Sequence, residues 1–178
     1  MTIHHNLPRV EEILGSFRET IGADFTAYRN HVYRMANLCL AESHGAEEQE
    51  KIEIAAAFHD IGIWTAGTLD YLPPSEEAAA RYLAASGRDA WIPEITAMIA
   101  QHHRVRDCDD FPYPLVERFR RADIADFSLG VIRMGHPRER IAALKQAFPN
   151  AGFHQRLLQL GSRWVLRHPL NPLPMFRR

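Results

Sequence analysis

A chain of 178 residues, 46% of them hydrophobic, is long enough for one proper core and short for more than one domain. Its formal net charge of −1 gives no bulk attraction to a polyanion, and no stable nucleic-acid complex is expected. Two cysteines, Cys39 and Cys108, suggest no disulfide framework, and residues 1–10 lack the apolar core of a signal peptide.

The pattern is helical nearly throughout. Val10, Ile13, Leu14, Phe17 and Ile21 have helical spacing. Asp24 is a candidate N-cap for the next segment, where Tyr28, His31, Val32, Met35, Leu38 and Cys39 share one stripe. Glu47 to His59 reads as a third helix. Its nearly unbroken apolar run from Ile52 to Phe58 suggests a central, buried position, and Gly62 marks its end. A loop from Trp64 to Pro74 precedes a helix capped by Ser75 and stopped by Gly87. Further helices are predicted from Ile92 to His103 and from Leu115 to about Arg133. Pro137 opens another to Phe148, and the last runs from Phe153 to Arg167. No window approaches the roughly 20 apolar residues of a membrane span. The expectation is one all-α domain over residues 1–178, a bundle of seven or eight helices in the cytoplasm. Its core covers about 10–167, and a proline-rich tail over 168–178 lies extended on the surface.

Ten histidines invite a search for metal sites. His4 and His5 lie near the start of the chain. His44, His136, His154 and His168 fall near helix ends or loops, where structural or exposed roles suffice. Four histidines and two aspartates sit differently. His31 occupies the apolar stripe between Tyr28 and Met35. His59 and Asp60 directly follow the buried run. His102 and His103 flank the stripe of Ile92, Ile95 and Ile99, and Asp123 falls on that of Val116, Phe119 and Phe127. Singly, each has a plain reading as a hydrogen-bonded core group, a loop residue, or a partner of Arg120 or Arg121. Ionisable groups on inward faces are costly unless paired or ligated, so their presence on four helices points to convergence.

Metal chemistry accounts for the combination. Adjacent helical residues point about 100° apart, so His59 and Asp60 reach one ion together only where the helix ends. His31 and His59 offer neutral nitrogens; Asp60 and Asp123 offer anionic oxygens. Such a set suits one borderline or hard divalent ion (Mn, Co, Ni, Zn, Mg or Fe) with positions open to water. The ion would acidify a water and polarise a phosphoryl oxygen. No serine or cysteine elbow is present.

These motifs resemble the HD-domain superfamily of metal-dependent phosphohydrolases, whose pattern is a His, a His-Asp pair and a distant Asp on a helical bundle. The corresponding positions are His31 in YRNHVYRM, His59-Asp60 in AAAFHDIGIW and Asp123 in FRRADIADF. The resemblance covers roughly Asp24 to Leu129. It implies His31, His59, Asp60 and Asp123 as metal ligands. Asp126, one turn beyond Asp123, competes for the last position, and Arg-Ala-Asp favours Asp123. His102-His103 matches a family position where a histidine touches substrate or a second metal. Ile63 stands where the cyclic-dinucleotide branch usually has a lysine. No histidine lies between His59 and His102, where dinuclear branches add one; Ser75 or Glu76 falls there instead. The first departure points away from the cyclic-dinucleotide branch, and the missing histidine favours a single ion.

The resemblance implies hydrolysis of a phosphate ester in a nucleotide or another small phosphorylated metabolite. Asp60 would help position the attacking water, and His102, His103 or Arg104 would stabilise phosphate charge. Arg104, opening a loop, reads equally as an exposed cation. Lysine occurs only at Lys51 and Lys145. The arginine excess suits bidentate phosphate contacts, and a compositional bias explains it as well. The alternatives are a lyase, hydratase or di-iron oxygenase on the same fold, and a metal- or ligand-sensing module without turnover. A homodimer remains open.

Overall fold

The apolar stripes fold as helices that pack stripe to stripe. The computed structural model describes residues 2–43 and 45–176, so His44 lies outside the described residues. In chain order the helices are α1 (Pro8–Ser16), α2 (Arg18–Ile21), α3 (Phe25–Leu40), α4 (Ala46–Phe58), α5 (Gly62–Thr65), α6 (Leu72–Ala85), α7 (Ile92–Gln101), α8 (Pro114–Phe127), α9 (Arg138–Ala147) and α10 (Phe153–Arg167). α2 and α5 are single turns, which leaves eight longer helices among the described residues, and no strand forms there. The all-α bundle expected from periodicity is the observed architecture. No helix among the described residues is long and apolar enough to cross a membrane.

Two helices make the centre. α3 is buried on nearly every face and packs against α4, α8 and α9. α4 begins with charged residues and is fully buried from Ile52 to Phe58, where it meets α1, α3 and α7. α7 in turn packs on α6 and α8. Each large apolar side chain buried here contributes about 1.5–3 kcal/mol relative to exposure. This framework holds the ionisable residues rigidly.

Several boundaries differ from the sequence expectation, each for a local reason. The first helix breaks at Phe17 into α1 and α2. The Ser16 hydroxyl donates to the Ile13 carbonyl at 2.7 Å, a local bond that competes with helix continuation. Asp24 holds the N-cap position of α3 but its side chain makes no cap bond; its carboxylate accepts from the Trp64 indole at 3.0 Å and from Arg156 at 2.7 Å. Pro137 stands before α9 in extended conformation rather than inside its first turn. α8 stops at Phe127, well short of Arg133. Leu129 and Gly130 turn left-handed there (φ 55° and 81°), and the Gly130 N–H returns to the Ala125 carbonyl at 2.9 Å, a glycine-terminated C-cap.

The largest correction concerns Gly62 and Ser75. Gly62 does not end α4; it starts the single turn α5. Its lack of a side chain is needed for close packing. A Cβ there would sit 2.4 Å from the Tyr71 carbonyl oxygen and 3.0 Å from Ser75 Oγ. Ser75 lies inside α6, which already begins at Leu72, and its buried hydroxyl accepts the Gly62 N–H at 2.9 Å. The start of α6 is thereby clamped onto the turn that carries His59 and Asp60.

The segment from His168 also departs from an extended tail. It turns back, with the Trp164 indole donating to the Asn171 carbonyl at 2.9 Å, and forms a 3-10 turn over Pro174–Phe176.

Candidate metal centre

His31 projects from the middle of α3. His59 and Asp60 follow α4, where i to i+3 bonds tighten the backbone: Ile61 N–H to Phe58 O at 3.1 Å and Ile63 N–H to Asp60 O at 3.0 Å. His59 Nε2 and Asp60 Oδ2 lie 3.3 Å apart, so the tightened turn overcomes the angular divergence of neighbouring helical residues. His102 and His103 follow the last turn of α7, and Asp123 comes from α8. All of these except half-buried His103 are buried.

The structure brings the four resemblance-derived positions together. His31 Nε2 is 3.0 Å from His59 Nε2, 3.8 Å from Asp60 Oδ2 and 3.5 Å from Asp123 Oδ1. Asp123 Oδ1 is also 3.9 Å from His59 Nε2. Asp126 does not share this face. It stands behind His31, accepting from Nδ1 at 2.8 Å, and Arg34 grips it through Nε at 2.6 Å and Nη2 at 2.9 Å. His102 approaches from the other side, with Nε2 at 3.5 Å from Asp60 Oδ1. His103 Nδ1 lies 4.0 Å from Asp123 Oδ2.

The far nitrogens fix how the rings present themselves. His59 Nδ1 bonds the Ala56 carbonyl at 2.8 Å, and His102 Nδ1 bonds the Ile99 carbonyl at 2.6 Å. A carbonyl only accepts, so each Nδ1 carries the hydrogen and each neutral ring turns an Nε2 lone pair inward. The Asp126 carboxylate imposes the same tautomer on His31. The two Nε2 atoms therefore face each other across 3.0 Å, an arrangement that a metal ion, or a proton shared between the rings, stabilises. Ligands each about 2.1 Å from one ion stand roughly 3.0–3.4 Å apart at octahedral to tetrahedral angles. Asp60 Oδ1 and His102 Nε2 are buried with no hydrogen-bond partner, a cost of about 1–3 kcal/mol each unless something binds them. Two donor groups result, His31–His59–Asp60 and Asp60–His102–His103, and Asp60 belongs to both. The residues fit a divalent ion, and a buried His/Asp group able to hold one is present.

Burial and mutual charge separate the protonation states. Burial drives the His31 imidazole down to about 4 despite Asp126. Burial raises Asp123 to about 7, with Asp60 and Asp126 adding to the rise against His102. Asp60 goes the other way: burial alone would raise it, but His59 and His102 hold it well below the usual carboxylate range. Burial and the neighbouring His102 push His103 well below its ordinary value.

Three residues at the site carry no clear mark in the sequence. Tyr71 lies in the loop before α6, and its hydroxyl contacts His103 Nε2. Burial and Asp60 keep that phenol protonated, so it donates to His103. Phe153, at the start of α10, stacks on His31 with ring centroids 4.3 Å apart. Arg34 is fully buried; its position one turn after His31 on a buried helix was the available signal. Arg104 lies elsewhere. Its guanidinium pairs with Asp110 at 3.0 Å, and it does not line the cavity at the cluster.

That cavity has a volume of about 740 Å³, with Asp60, Asp123, His103 and Tyr71 at its floor and mainly apolar walls. The remaining histidines, His4, His5, His136, His154 and His168, take no part in the cluster.

No curated protein and no solved structure matches the chain. A family model described as the HD domain matches residues 28–143, about two thirds of the chain and every residue of the cluster. The histidine-aspartate convergence and this match together identify the chain as a member of the HD-domain family.

Proposed function

We propose that the chain is a metal-dependent phosphohydrolase that cleaves a phosphate monoester, with His31, His59, Asp60 and Asp123 holding one divalent ion. The observation that carries this reading is the pair of inward Nε2 lone pairs of His31 and His59 at 3.0 Å, flanked by two carboxylates. The donor set suits Mn, Co, Ni, Zn, Mg or Fe. Such an ion supplies a Lewis acid and a more acidic water. Asp60 Oδ1, buried and unpartnered, accepts a hydrogen bond from the attacking water and positions it. His103, hydrogen-bonded by Tyr71, faces the cavity, and its Nδ1–H donates a hydrogen bond to a phosphoryl oxygen. His102, oriented through Ile99, offers its Nε2 beside Asp60 as a further ligand atom. Arg104 has no role in this reading, because Asp110 holds it away from the cavity floor.

A second reading has two ions bridged by Asp60, favoured by the membership of Asp60 in both donor groups. It also keeps hydratase, lyase and oxygenase chemistry in view, since one fold hosts several chemistries. The test is elemental analysis of purified protein, followed by phosphate release from a panel of phosphate esters with Mn, Co, Ni, Mg and Fe. Phosphate release lost in His59→Ala supports the proposal. Dioxygen consumption with iron and no phosphate release selects the oxygenase. Bound metal with no turnover of any kind selects a sensing module.

A further inference from the structure

We infer that the non-reacting part of the substrate is a single apolar group, an alkyl or aryl chain, seated along α10 in the cavity above the cluster. The inference rests on the reading that the floor of that cavity is the reacting end.

The cavity, at about 740 Å³, has room for a group far larger than phosphate. One wall is a face of α10, where Leu157, Leu158, Gly161, Val165 and Leu166 recur at helical spacing. Phe127, Leu69 and Met175 close the other sides. Gly161 leaves the middle of this face open, since nothing lies within 4 Å of where its Cβ would be.

The polar groups on the walls are already committed to the protein. The Ser162 hydroxyl donates to the Leu158 carbonyl. His154 is tied by Nε2 to the Phe127 carbonyl at 2.7 Å and by Nδ1 to Asn150. Beyond the floor, the described wall side chains therefore offer a base or a sugar no free donor, and the Ser162 hydroxyl oxygen alone keeps a lone pair to accept with. Among the described residues, no lysine or arginine lines the cavity. A nucleotide would leave its hydrogen-bonding groups desolvated and unpaired, a costly outcome.

The apolar face is also left wet. Leu158 is 73% exposed and Leu166 83%, while Phe153 is the one buried residue of α10. An apolar group continuous with the reacting end covers these side chains. Burial then favours longer chains by about fourfold per methylene until the cavity is filled.

The test is calorimetric binding of n-alkylphosphonates from ethyl to octyl, and of AMP, to the Mn(II)-loaded full chain. The expected result is a Kd that falls about fourfold per methylene over the first several carbons, with AMP no tighter than ethylphosphonate. Leu158→Gln/Leu166→Gln, altered only at exposed positions, should reduce that slope to less than twofold per methylene. Phosphonates that bind with one Kd at every length overturn the inference and leave the phosphohydrolase reading standing. Octanol that binds as octylphosphonate does, with no metal dependence, leaves the apolar seat standing and fails the phosphate reading. AMP that binds tighter than octylphosphonate overturns the inference. So does a stable dimer in sedimentation that Leu158→Glu dissociates, because a second copy would then cover the face.

Discussion

Asp126 stands behind His31, accepting its Nδ1 hydrogen at 2.8 Å while Arg34 grips the same carboxylate through two bonds. Such a relay sets the tautomer and aim of a ligating histidine without touching the ion. Asp126→Asn should lower Mn(II) affinity about 10–100-fold with the fold retained. Asp126→Ala should in addition cost about 3–5 kcal/mol of stability, because it leaves the Arg34 guanidinium buried and unpaired. Chelator competition and chemical denaturation measure the two effects separately.

Gly62 is where α6 clamps the turn bearing the His-Asp pair. In Gly62→Ala the new Cβ meets a backbone oxygen, that of Tyr71, at 2.4 Å, and backbone yields poorly. The expected cost is about 1–3 kcal/mol, read as a lower denaturant midpoint. Tyr71 should shift with it, so metal affinity should fall too, although no ligand has changed.

Tyr71→Phe removes the hydroxyl that meets His103 and its interaction with Asp60. Under the proposed function it should lower kcat by up to about tenfold, the worth of one hydrogen bond of about 1 kcal/mol that aims His103, with the thermal midpoint nearly unchanged. A drop in stability as large as the drop in rate would make Tyr71 a structural residue instead.

Glu11 provides the pH test away from the metal centre. Burial raises its carboxyl, but hydrogen bonds from Arg29 and Tyr33 outweigh burial, and the net shift is downward. A depressed carboxylate stabilises the fold above its unfolded value, and that contribution disappears as pH falls through the folded value. Glu11→Gln should therefore be less stable than wild type at pH 7, by at most about 1 kcal/mol for so exposed a pair. The difference should shrink as pH falls below the ordinary glutamate range and close once it has passed the lower folded value. Denaturation midpoints from pH 3 to 8 give the profile.

The parts of this molecule that could be read in advance are those governed by periodicity. His31 and Asp123 interrupt apolar stripes, and His59-Asp60 follows a buried run, so local spacing alone marked them. Glycine and serine roles were misread because close approach and helix capping leave the same residues in the sequence. Gly62 and Ser75 face each other across a contact that local pattern does not encode. Tyr71, Phe153 and the walls of the cavity come from a loop, a late helix and the segment after it, which only the tertiary fold brings to the cluster. Arg104 misled for the opposite reason: it is adjacent to His103 in the chain, yet Asp110 draws its side chain away.

The central claim is that His31, His59, Asp60 and Asp123 hold a divalent ion. Its most direct test is metal stoichiometry and affinity of wild type and His59→Ala, measured at equilibrium with Mn(II), with circular dichroism as the check on folding. The expected result is at least one tightly bound ion per wild-type chain and its loss in a folded His59→Ala. Equal stoichiometry and affinity in the two proteins would contradict the claim.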